Sequence, residues 1–405
     1  MKILYVCHRL PFPPTRGGKI RAFNTIRHLA GTHDVTVASL AHTADEAMRG
    51  AGLADHCRAL IVERTTALTR AAGAIACLPT ARPSTMGYFH SPRLARRIRD
   101  AHATTGFDLI MVHSSSMTPY VLDGLRTSRI LDFGDMDSQK WLAYAHHKPF
   151  PASWGYYIEG RKLQRTEARL AATVDFCTCT TRGELETLAS FGTAKRLDWF
   201  PNGVDSEYFQ PIDTPYDPDT ICFTGRMDYY PNEQAMLEFC RHTLPLVRDA
   251  HPAIRLKIVG ADPTRSVRAL AAIPGVTVTG TVADVRPHLA SAALSVAPLR
   301  IARGTQNKIL EAMAMAVPVV TTALAARGVD AVPGEHLLTA DRPRECADAI
   351  LRLLRDRACR DRLARAARAR VQSHHDWGAS MRKLDGIIAE CLAAARRPPE
   401  RTASG

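Results

Sequence analysis

Short apolar runs alternate with helix-like stretches along most of the chain. KILYVC (2–7), for example, precedes a stretch with apolar residues at helical spacing (19–31). Strands of a parallel sheet are covered by helices on both faces and therefore read as continuous apolar runs. The pattern predicts an α/β fold. The runs that predict strands in the first half of the chain are 2–7, 34–40, 107–113, 128–133 and 173–180.

The alternation stops around residues 196–222 and then restarts. PNGVD (201–205) is followed by a segment rich in proline and aspartate (209–219), which is typical of a linker. The second series of predicted strands comprises 220–225, 254–260, 276–280, 293–299 and 317–322. We therefore predict two doubly wound, Rossmann-like domains facing across a cleft, with ligands at the carboxyl ends of the strands.

The predicted domains are residues 1–200 and 201–375, and a length of 405 residues fits two domains. A helix is expected at 376–395, where apolar residues recur at helical spacing. The last residues, 396–405, are predicted to form a flexible tail.

The composition indicates the cellular compartment and limits the classes of partner that are expected. The ten cysteines are scattered without ligand spacing, which indicates free thiols in a reducing compartment. We see neither a signal-peptide pattern nor a membrane-spanning run, and expect a cytoplasmic protein, or one lying on a membrane without crossing it. The net charge of +13 favours anionic partners, namely nucleic acid, phosphorylated small molecules or acidic lipid, but no nucleic-acid-binding motif accompanies it.

The strongest candidate site lies where a helix is predicted to begin, with Lys308 and Glu311 in its first turns. The residues just before Lys308 are Gly304, Thr305, Gln306 and Asn307. One interpretation is a surface ion pair, worth a few tenths of a kcal/mol. In the other, the loop amides and the helix N-terminus hold a diphosphate, Lys308 adds positive charge and Glu311 accepts from ribose hydroxyls. The apolar sequence after Glu311 favours the second.

Further candidates follow other predicted strands. Arg226 comes after a strand and Gly225, where its guanidinium would suit phosphate oxygens; an ordinary surface arginine is the alternative. Gly17 and Gly18 precede a predicted helix and form either a tight turn or an anion site. His113 ends a strand, as a structural histidine or as a group facing the cleft.

An acidic segment follows the strand at 128–133. Asp135 and Asp137 form a DxD pair, for which binding of acceptor hydroxyls or capping of the next helix is favoured over a metal ion. We assign Lys140 to the acceptor side together with them.

Together these segments resemble glycosyltransferase family 4, retaining enzymes with the GT-B fold, over essentially the whole chain. The motifs that carry the resemblance, in family order, are GG (17–18), IMVH (110–113), PNGVD (201–205), FTGRM (223–227) and NKILEAMAMAVPVVTT (307–322). Segments 7–24, 135–141 and 156–167 are further similar to the sugar transferases of bacterial exosortase and exopolysaccharide clusters.

The resemblance implies a UDP- or GDP-sugar as donor, a saccharide or lipid-linked molecule as acceptor, and no metal ion or other cofactor. Arg226 and Lys308 would neutralise the diphosphate and Glu311 would bind the ribose. His113 would contact the transferred sugar. The nucleotide-sugar site would also include Gly17, Gly18, Gly225 and the residues Gly304 to Asn307. The first domain would lie on the acceptor side, the second would bind the nucleotide sugar, and the C-terminal helix would cross back to the first.

Two positions depart from the family pattern. Arg303 stands where the family has the first of two glutamates, and no lysine occurs among residues 227–230 after Arg226. Lys308 would then carry more of the neutralisation of the diphosphate.

The predicted function is transfer of a sugar, with retention, in the synthesis of a bacterial exopolysaccharide or another surface glycan. The alternatives are a GT-B nucleotide-sugar epimerase and a non-catalytic two-lobed binding protein. An anionic membrane surface is a further candidate partner, which would place the protein on the inner face of the cytoplasmic membrane. The residues suggested for that contact, which could equally be solvated, are Arg16, Lys19, Arg21, Arg27 and segment 93–99.

Overall fold

The structure is a computed structural model, and it describes residues 1–14, 17–125 and 127–396. The chain divides into two compact units. Unit 1 contains Met1–Pro201 and the C-terminal residues from Met381 onward, and unit 2 contains Asn202–Ser380. The predicted tail falls mostly outside the described residues.

Unit 1 is built on a seven-stranded parallel sheet in the order β3-β2-β1-β4-β5-β6-β7. Its strands are β1 Lys2–Cys7, β2 Asp34–Ala41, β3 Ala59–Arg64, β4 Leu109–His113, β5 Ser128–Asp132, β6 Phe176–Cys179 and β7 Leu197–Trp199. Its helices up to the linker are α1 Gly17–Ala30, α2 Ala44–Gly50, α3 Ala67–Ala76, α4 Ser84–Tyr88, α5 Pro92–Thr105, α6 Pro119–Leu122, α7 Asp137–His147, α8 Ala152–Thr173 and α9 Arg182–Ala189. Short 3₁₀ turns cover Ala51–His56 and Ser115–Met117.

Unit 2 has a six-stranded parallel sheet in the order β10-β9-β8-β11-β12-β13. Its strands are β8 Asp217–Thr224, β9 Arg255–Val259, β10 Val276–Val278, β11 Ala292–Ala297, β12 Val319–Thr321 and β13 Leu338–Thr339. Its helices are α10 Tyr230–Glu238, α11 Leu244–Ala250, α12 Arg265–Ala269, α13 Arg286–Ala290, α14 Asn307–Ala314, α15 Ala323–Ala326, α16 Pro343–Arg355 and α17 Arg357–His374. A π-helical turn covers Phe239–Thr243, and a 3₁₀ turn covers Leu270–Ala272.

The final helix, α18 Trp377–Arg396, starts in unit 2 and continues into unit 1. Within unit 1 it is held by polar contacts: Asp385 bonds to the imidazole of His28 over 2.8 Å, and the Lys383 ammonium lies 3.2 Å from the Asp198 carboxylate. The two doubly wound α/β units confirm the predicted fold class.

The central strands are buried on both faces, which explains their continuous apolar runs. All residues of β4 are buried, as are those of β11. Helix ends follow their sequence signals: the Ser91 hydroxyl accepts from the Leu94 amide at the start of α5, and Gly106, with a φ of 64°, ends it. All ten cysteines are free thiols.

The register of the unit 1 sheet brings polar side chains to one edge. His113 lies opposite Cys7 on one side and opposite Asp132 on the other, and Asp132 lies opposite Thr178. Among the described helices, none combines the length and the hydropathy that a membrane span requires.

Candidate active site

Two glycine loops meet at the carboxyl ends of β8 and β9 in unit 2. Gly225 follows β8 with a φ of 154°, and Gly260 follows β9 with a φ of 150°. A Cβ atom on Gly260 would lie 1.8 Å from the carbonyl oxygen of Gly225. Only glycine allows these two backbones to approach so closely, and the approach fixes the loop that leads into Arg226.

The start of α14 lies beside this loop. Gly304 has a φ of 59°, and the Gln306 side-chain amide donates to the Arg303 carbonyl over 3.0 Å. A Cβ on Gly225 would lie 3.3 Å from Cε of Lys308. The structure therefore brings together Gly225 and Lys308, which belong to separate sequence motifs and were predicted to share one site.

Lys308 and Glu311 are half-buried. No ion pair joins them, and within the described residues neither has a hydrogen-bond partner, so the surface ion-pair interpretation is wrong. Loss of hydration lowers the pKa of Lys308 to about 8, although the Glu311 charge opposes this effect. Loss of hydration likewise raises the pKa of Glu311 to about 7, against the effect of Lys308. Two opposite charges are thus desolvated without a direct partner.

Four neutral polar atoms of the same region are also buried without a partner in the described part of the chain. The atoms are Thr224 Oγ1, Asn232 Oδ1, Thr305 Oγ1 and Asn307 Oδ1. Buried polar atoms are normally hydrogen-bonded, and a polar ligand or water molecules at this position would complete the bonding of these four atoms. Thr305 and Asn307 were predicted from the sequence to lie in the site, and the other two were not. Thr224 carried a signal, because it is the last residue of β8 before Gly225.

Arg226 is held by acidic neighbours. Its Nε and Nη2 donate to the Asp228 carboxylate over 3.0 and 2.8 Å, and Nη2 also contacts Asp262. These hydrogen bonds to Asp228 raise the pKa of Arg226 further above its usual value. Its charge is therefore already compensated in this structure, and neutralisation of a diphosphate by Arg226 stays a prediction.

In unit 1, Asp132 is the centre of a buried polar network. The Arg21 guanidinium donates to both of its carboxylate oxygens, over 2.8 and 2.9 Å. His113 Nδ1 bonds to it over 2.9 Å, and the Thr178 hydroxyl donates over 3.0 Å. Burial alone would raise the pKa of Asp132, but the charge of Arg21 and the hydrogen bonds from His113 and Arg21 hold it well below the usual range.

The network fixes the ring of His113 at the carboxyl end of β4. His8 stacks on that ring with centroids 5.8 Å apart, and its own Nδ1 is buried without a partner in the described residues. Burial lowers the pKa of His8 well below its usual value, and the neighbouring His113 and Arg9 add to this effect. His113 was predicted from the sequence as a site residue, whereas Asp132, Arg21 and His8 were not. The signal for Asp132 was its place at the end of a predicted strand beside that of His113.

The remaining candidates of unit 1 lie around the same edge. Gly17 and Gly18 open α1, and a Cβ on Gly18 would meet no atom within 4 Å. Asp135 accepts from the Thr180 hydroxyl over 2.9 Å, and Lys140 forms an ion pair with Asp137. The roles predicted for these residues stay predictions.

A cavity of about 860 Å³ adjoins this edge within unit 1. One end is lined by His8, Arg9 and Ser114, and the Lys140–Asp137 pair lies in its wall. Trp141 and Tyr156, whose rings stack 5.3 Å apart, also line it. Aromatic rings beside hydrogen-bonding groups are typical of sites that bind organic ligands.

The membrane contact suggested at α1 is wrong for Arg21 and Lys19. Arg21 is only 1% exposed and is bound to Asp132, so it cannot face lipid. Lys19 is largely buried and pairs with Glu46 over 2.8 Å. Arg27 is exposed, and Arg16 lies outside the described residues.

Solved structures share this two-unit architecture. Sucrose-phosphate synthase of Thermosynechococcus elongatus is 17% identical, with a TM-score of 0.72 over 97% of this chain and 100% of that one. HepE of Anabaena in complex with UDP is 16% identical, with a TM-score of 0.68 over 96% of this chain and 100% of that one. The complex of HepE with UDP-glucose gives a TM-score of 0.67 at 14% identity, over 96% and 100% of the two chains. The architecture is therefore that of a GT-B protein.

Family models match both units. Residues 15–208 match the model for Glycosyltransferase Family 4, and residues 218–356 match the model for Glycosyl transferases group 1. The chain is a glycosyltransferase that combines a family 4 domain with a group 1 domain. A comparison with curated protein sequences gave no significant match.

Proposed function

We propose that this glycosyltransferase transfers a sugar from a UDP- or GDP-sugar to a saccharide or lipid-linked acceptor, with retention and without a metal ion. The observation that carries the proposal is the pair of desolvated side chains at the start of α14: Lys308 and Glu311 lack a direct partner in the described residues. Polar atoms of Thr305 and Asn307, just before them in the chain, are also buried without a partner there. A nucleoside diphosphate supplies both complements, an anionic diphosphate for the lysine and ribose hydroxyls for the carboxylate. The UDP complexes of HepE support this choice of ligand.

The chemistry follows from the charges that develop during the reaction. The bond between the anomeric carbon and the diphosphate oxygen breaks, and its electron pair leaves with the diphosphate. Lys308 and the amides that begin α14 stabilise that negative charge, which is usually a large term in such sites. The acceptor hydroxyl attacks from the face that the diphosphate leaves, and a departing phosphate oxygen takes its proton. No side chain is then needed as a base, and the anomeric configuration is retained.

The biological setting is proposed from the motif resemblance given above. Segments 7–24 and 156–167 favour an enzyme of bacterial exopolysaccharide or other surface-glycan synthesis, acting at the cytoplasmic side. Arg303 replaces the family's first glutamate, and we propose that this change alters which sugar is accepted.

Thermal unfolding with nucleotides tests the site. UDP, GDP, ADP and NAD are each added at about 1 mM, since a ligand at about 100 times its Kd stabilises by about 2.7 kcal/mol. We expect UDP or GDP to raise the Tm of the wild type and not that of Lys308→Ala. Arg344→Ala is the matched control, because Arg344 is an exposed cation of the same unit. No shift with any nucleotide, or an equal shift in Lys308→Ala, would overturn the proposal.

Retention is tested once a donor is found. We expect NMR of the product to show the anomeric configuration of the donor, and inversion would refute the mechanism. Addition of EDTA is expected to leave the rate unchanged.

A further inference from the structure

Helix α3 of unit 1 presents an apolar surface to solvent. None of its ten residues is buried, and the exposed ones are alanines, Thr69, Leu68 and Ile75. Leu68 is 82% exposed and Ile75 is 62% exposed. A helix at a water-facing surface normally carries charged residues on its outer side, and α3 carries none there.

A second apolar surface, around the start of α8, adjoins that of α3. Phe150, in the loop before α8, is 80% exposed, and Trp154 in the first turn of α8 is 63% exposed. The ammonium of Lys162, further along α8, donates to the carbonyls of Cys77 and Leu78 just after α3, over 3.2 and 2.9 Å. We call this combined surface the apolar rim, and its exposed side chains are Leu68, Ile75, Leu78, Phe150, Trp154 and Ile158.

The chain around the apolar rim carries more positive than negative charge. Residues 64–99 contain seven arginines and no carboxylate, and residues 138–158 contain two lysines and no carboxylate. Of these cations, Arg93 and Arg97 lie 3.9 and 4.0 Å from Glu63, and Lys140 pairs with Asp137. The next acidic residue, Glu159, is buried and accepts from the amides of Ser84 and Thr85. Exposed aromatic and aliphatic side chains among cations complement the boundary between headgroups and acyl chains of an anionic bilayer.

The cavity of unit 1 connects this surface with the polar edge of the sheet. Leu78 and Ile158 line the cavity at the rim, whereas His8 and Ser114 line it at the strand ends. A ligand in the cavity would therefore meet polar groups at one end and the apolar rim at the other. This arrangement suits a molecule with a polar head and an apolar tail.

We propose that the apolar rim docks into the surface of an anionic lipid bilayer. The membrane-facing surface is then formed by α3 and the start of α8, and not by Lys19 and Arg21. Of the two proposed acceptor classes, the lipid-linked one fits this placement, and this choice of acceptor rests on the proposed function.

Flotation with lipid vesicles tests the docking. The wild type and the variant Leu68→Ser/Ile75→Ser/Trp154→Ser are floated with vesicles of phosphatidylcholine, with or without phosphatidylglycerol. We expect the wild type to float when acidic lipid is present, and the vesicle partition coefficient of the variant to be roughly tenfold or more lower. Val332→Ser is the matched control, because Val332 is an exposed aliphatic residue of unit 2. It should float as the wild type does.

Three results would overturn the proposal. The wild type stays at the bottom with acidic vesicles; the triple variant floats equally well; or the wild type sediments as a dimer that the triple variant converts to monomers, which would make a second copy the occupant. The nucleotide-induced Tm shift is measured on the same samples. If the wild type shows no such shift, the result counts against the proposed function alone, because flotation needs no nucleotide sugar.

Discussion

The desolvated pair at the start of α14 should cost the unliganded protein stability. We consider the double variant Lys308→Met/Glu311→Gln, in which each charge is replaced by a neutral side chain of similar size. Because neither charge has a direct partner in the described residues, the replacement removes unfavourable desolvation without breaking a hydrogen bond. We expect the variant to be more stable than the wild type in the absence of ligand.

The size of the expected stabilisation follows from the pKa values. The pKa of Lys308 falls from 10.5 to about 8, and that of Glu311 rises from 4.5 to about 7. At about 1.4 kcal/mol per pKa unit, each shift has an upper limit of about 3.5 kcal/mol. Both side chains are only half-buried, so solvent screening leaves about 1–2 kcal/mol for each. For a unit of this size, the variant should raise the Tm of the unit 2 transition by roughly 5–10 °C.

The pH dependence separates the two charges. The lowered pKa of Lys308 means that its penalty is present below pH about 8 and disappears as the pH rises to the unfolded value of 10.5. The raised pKa of Glu311 means that its penalty is absent below the unfolded value of 4.5 and complete above about 7. Lys308→Met should therefore stabilise at neutral pH and not near pH 10.5, and Glu311→Gln should stabilise at neutral pH and not near pH 4.5.

The assay is differential scanning calorimetry of the wild type and the variants, each with and without UDP and GDP. The exposed cation Arg344 provides the control Arg344→Met, which should leave the Tm unchanged. A lower or equal Tm for the double variant in the absence of ligand would refute the reasoning, because it would show that the two charges stabilise the fold.

Two further predictions concern buried contacts that stabilise each unit. Asp132→Ala leaves the guanidinium of Arg21 buried without its carboxylate, and we expect the free energy of unfolding to fall by about 3–5 kcal/mol in thermal or denaturant unfolding. Asp123 is exposed, so Asp123→Ala is the control. Equal stability of the two variants would contradict the role of Asp132. Gly260→Ala places a Cβ against the Gly225 carbonyl and should abolish or strongly reduce folded protein on expression. The added Cβ of Gly18→Ala meets no atom, and this variant should leave the free energy of unfolding unchanged or raise it by up to about 1 kcal/mol. A normal Tm for Gly260→Ala would show that the two glycine loops can separate.

Buried strands were predictable because they lie within continuous apolar runs of the sequence. Strands β1, β4, β5 and β6 lie within the predicted stretches, and so do β9 and β12. Strand β3 was missed because it lies at the sheet edge, where its residues are only partly buried. Its sequence, ALIVER, therefore includes charged residues and is not a continuous apolar run. Strand β7 was missed for the same reason: it lies at the other edge of the sheet, and its three residues are only partly buried.

The site was predictable where it lies on local motifs, and not where distant residues meet. The sequence places Lys308 and Glu311 at a helix start and His113 at a strand end, and the structure has them there. The bond between Arg21 and Asp132 joins residues 111 positions apart. In the sequence, Arg21 is one of several cations near the first helix, so it read as a surface residue. Only the packing of α1 over the sheet shows that it is buried.

The return of the chain to unit 1 at Met381 has a consequence for how the protein is made. Unit 2 is inserted into the sequence of unit 1. Its two ends lie side by side, since the Val204 amide donates to the His375 carbonyl over 2.9 Å. Once unit 2 has folded, the residues that follow start close to the point where the chain left unit 1, so α18 closes a short loop instead of a very long one. During synthesis, unit 1 must wait without its last helix until the whole of unit 2 has been translated. The surface of unit 1 that α18 later covers is exposed throughout that interval.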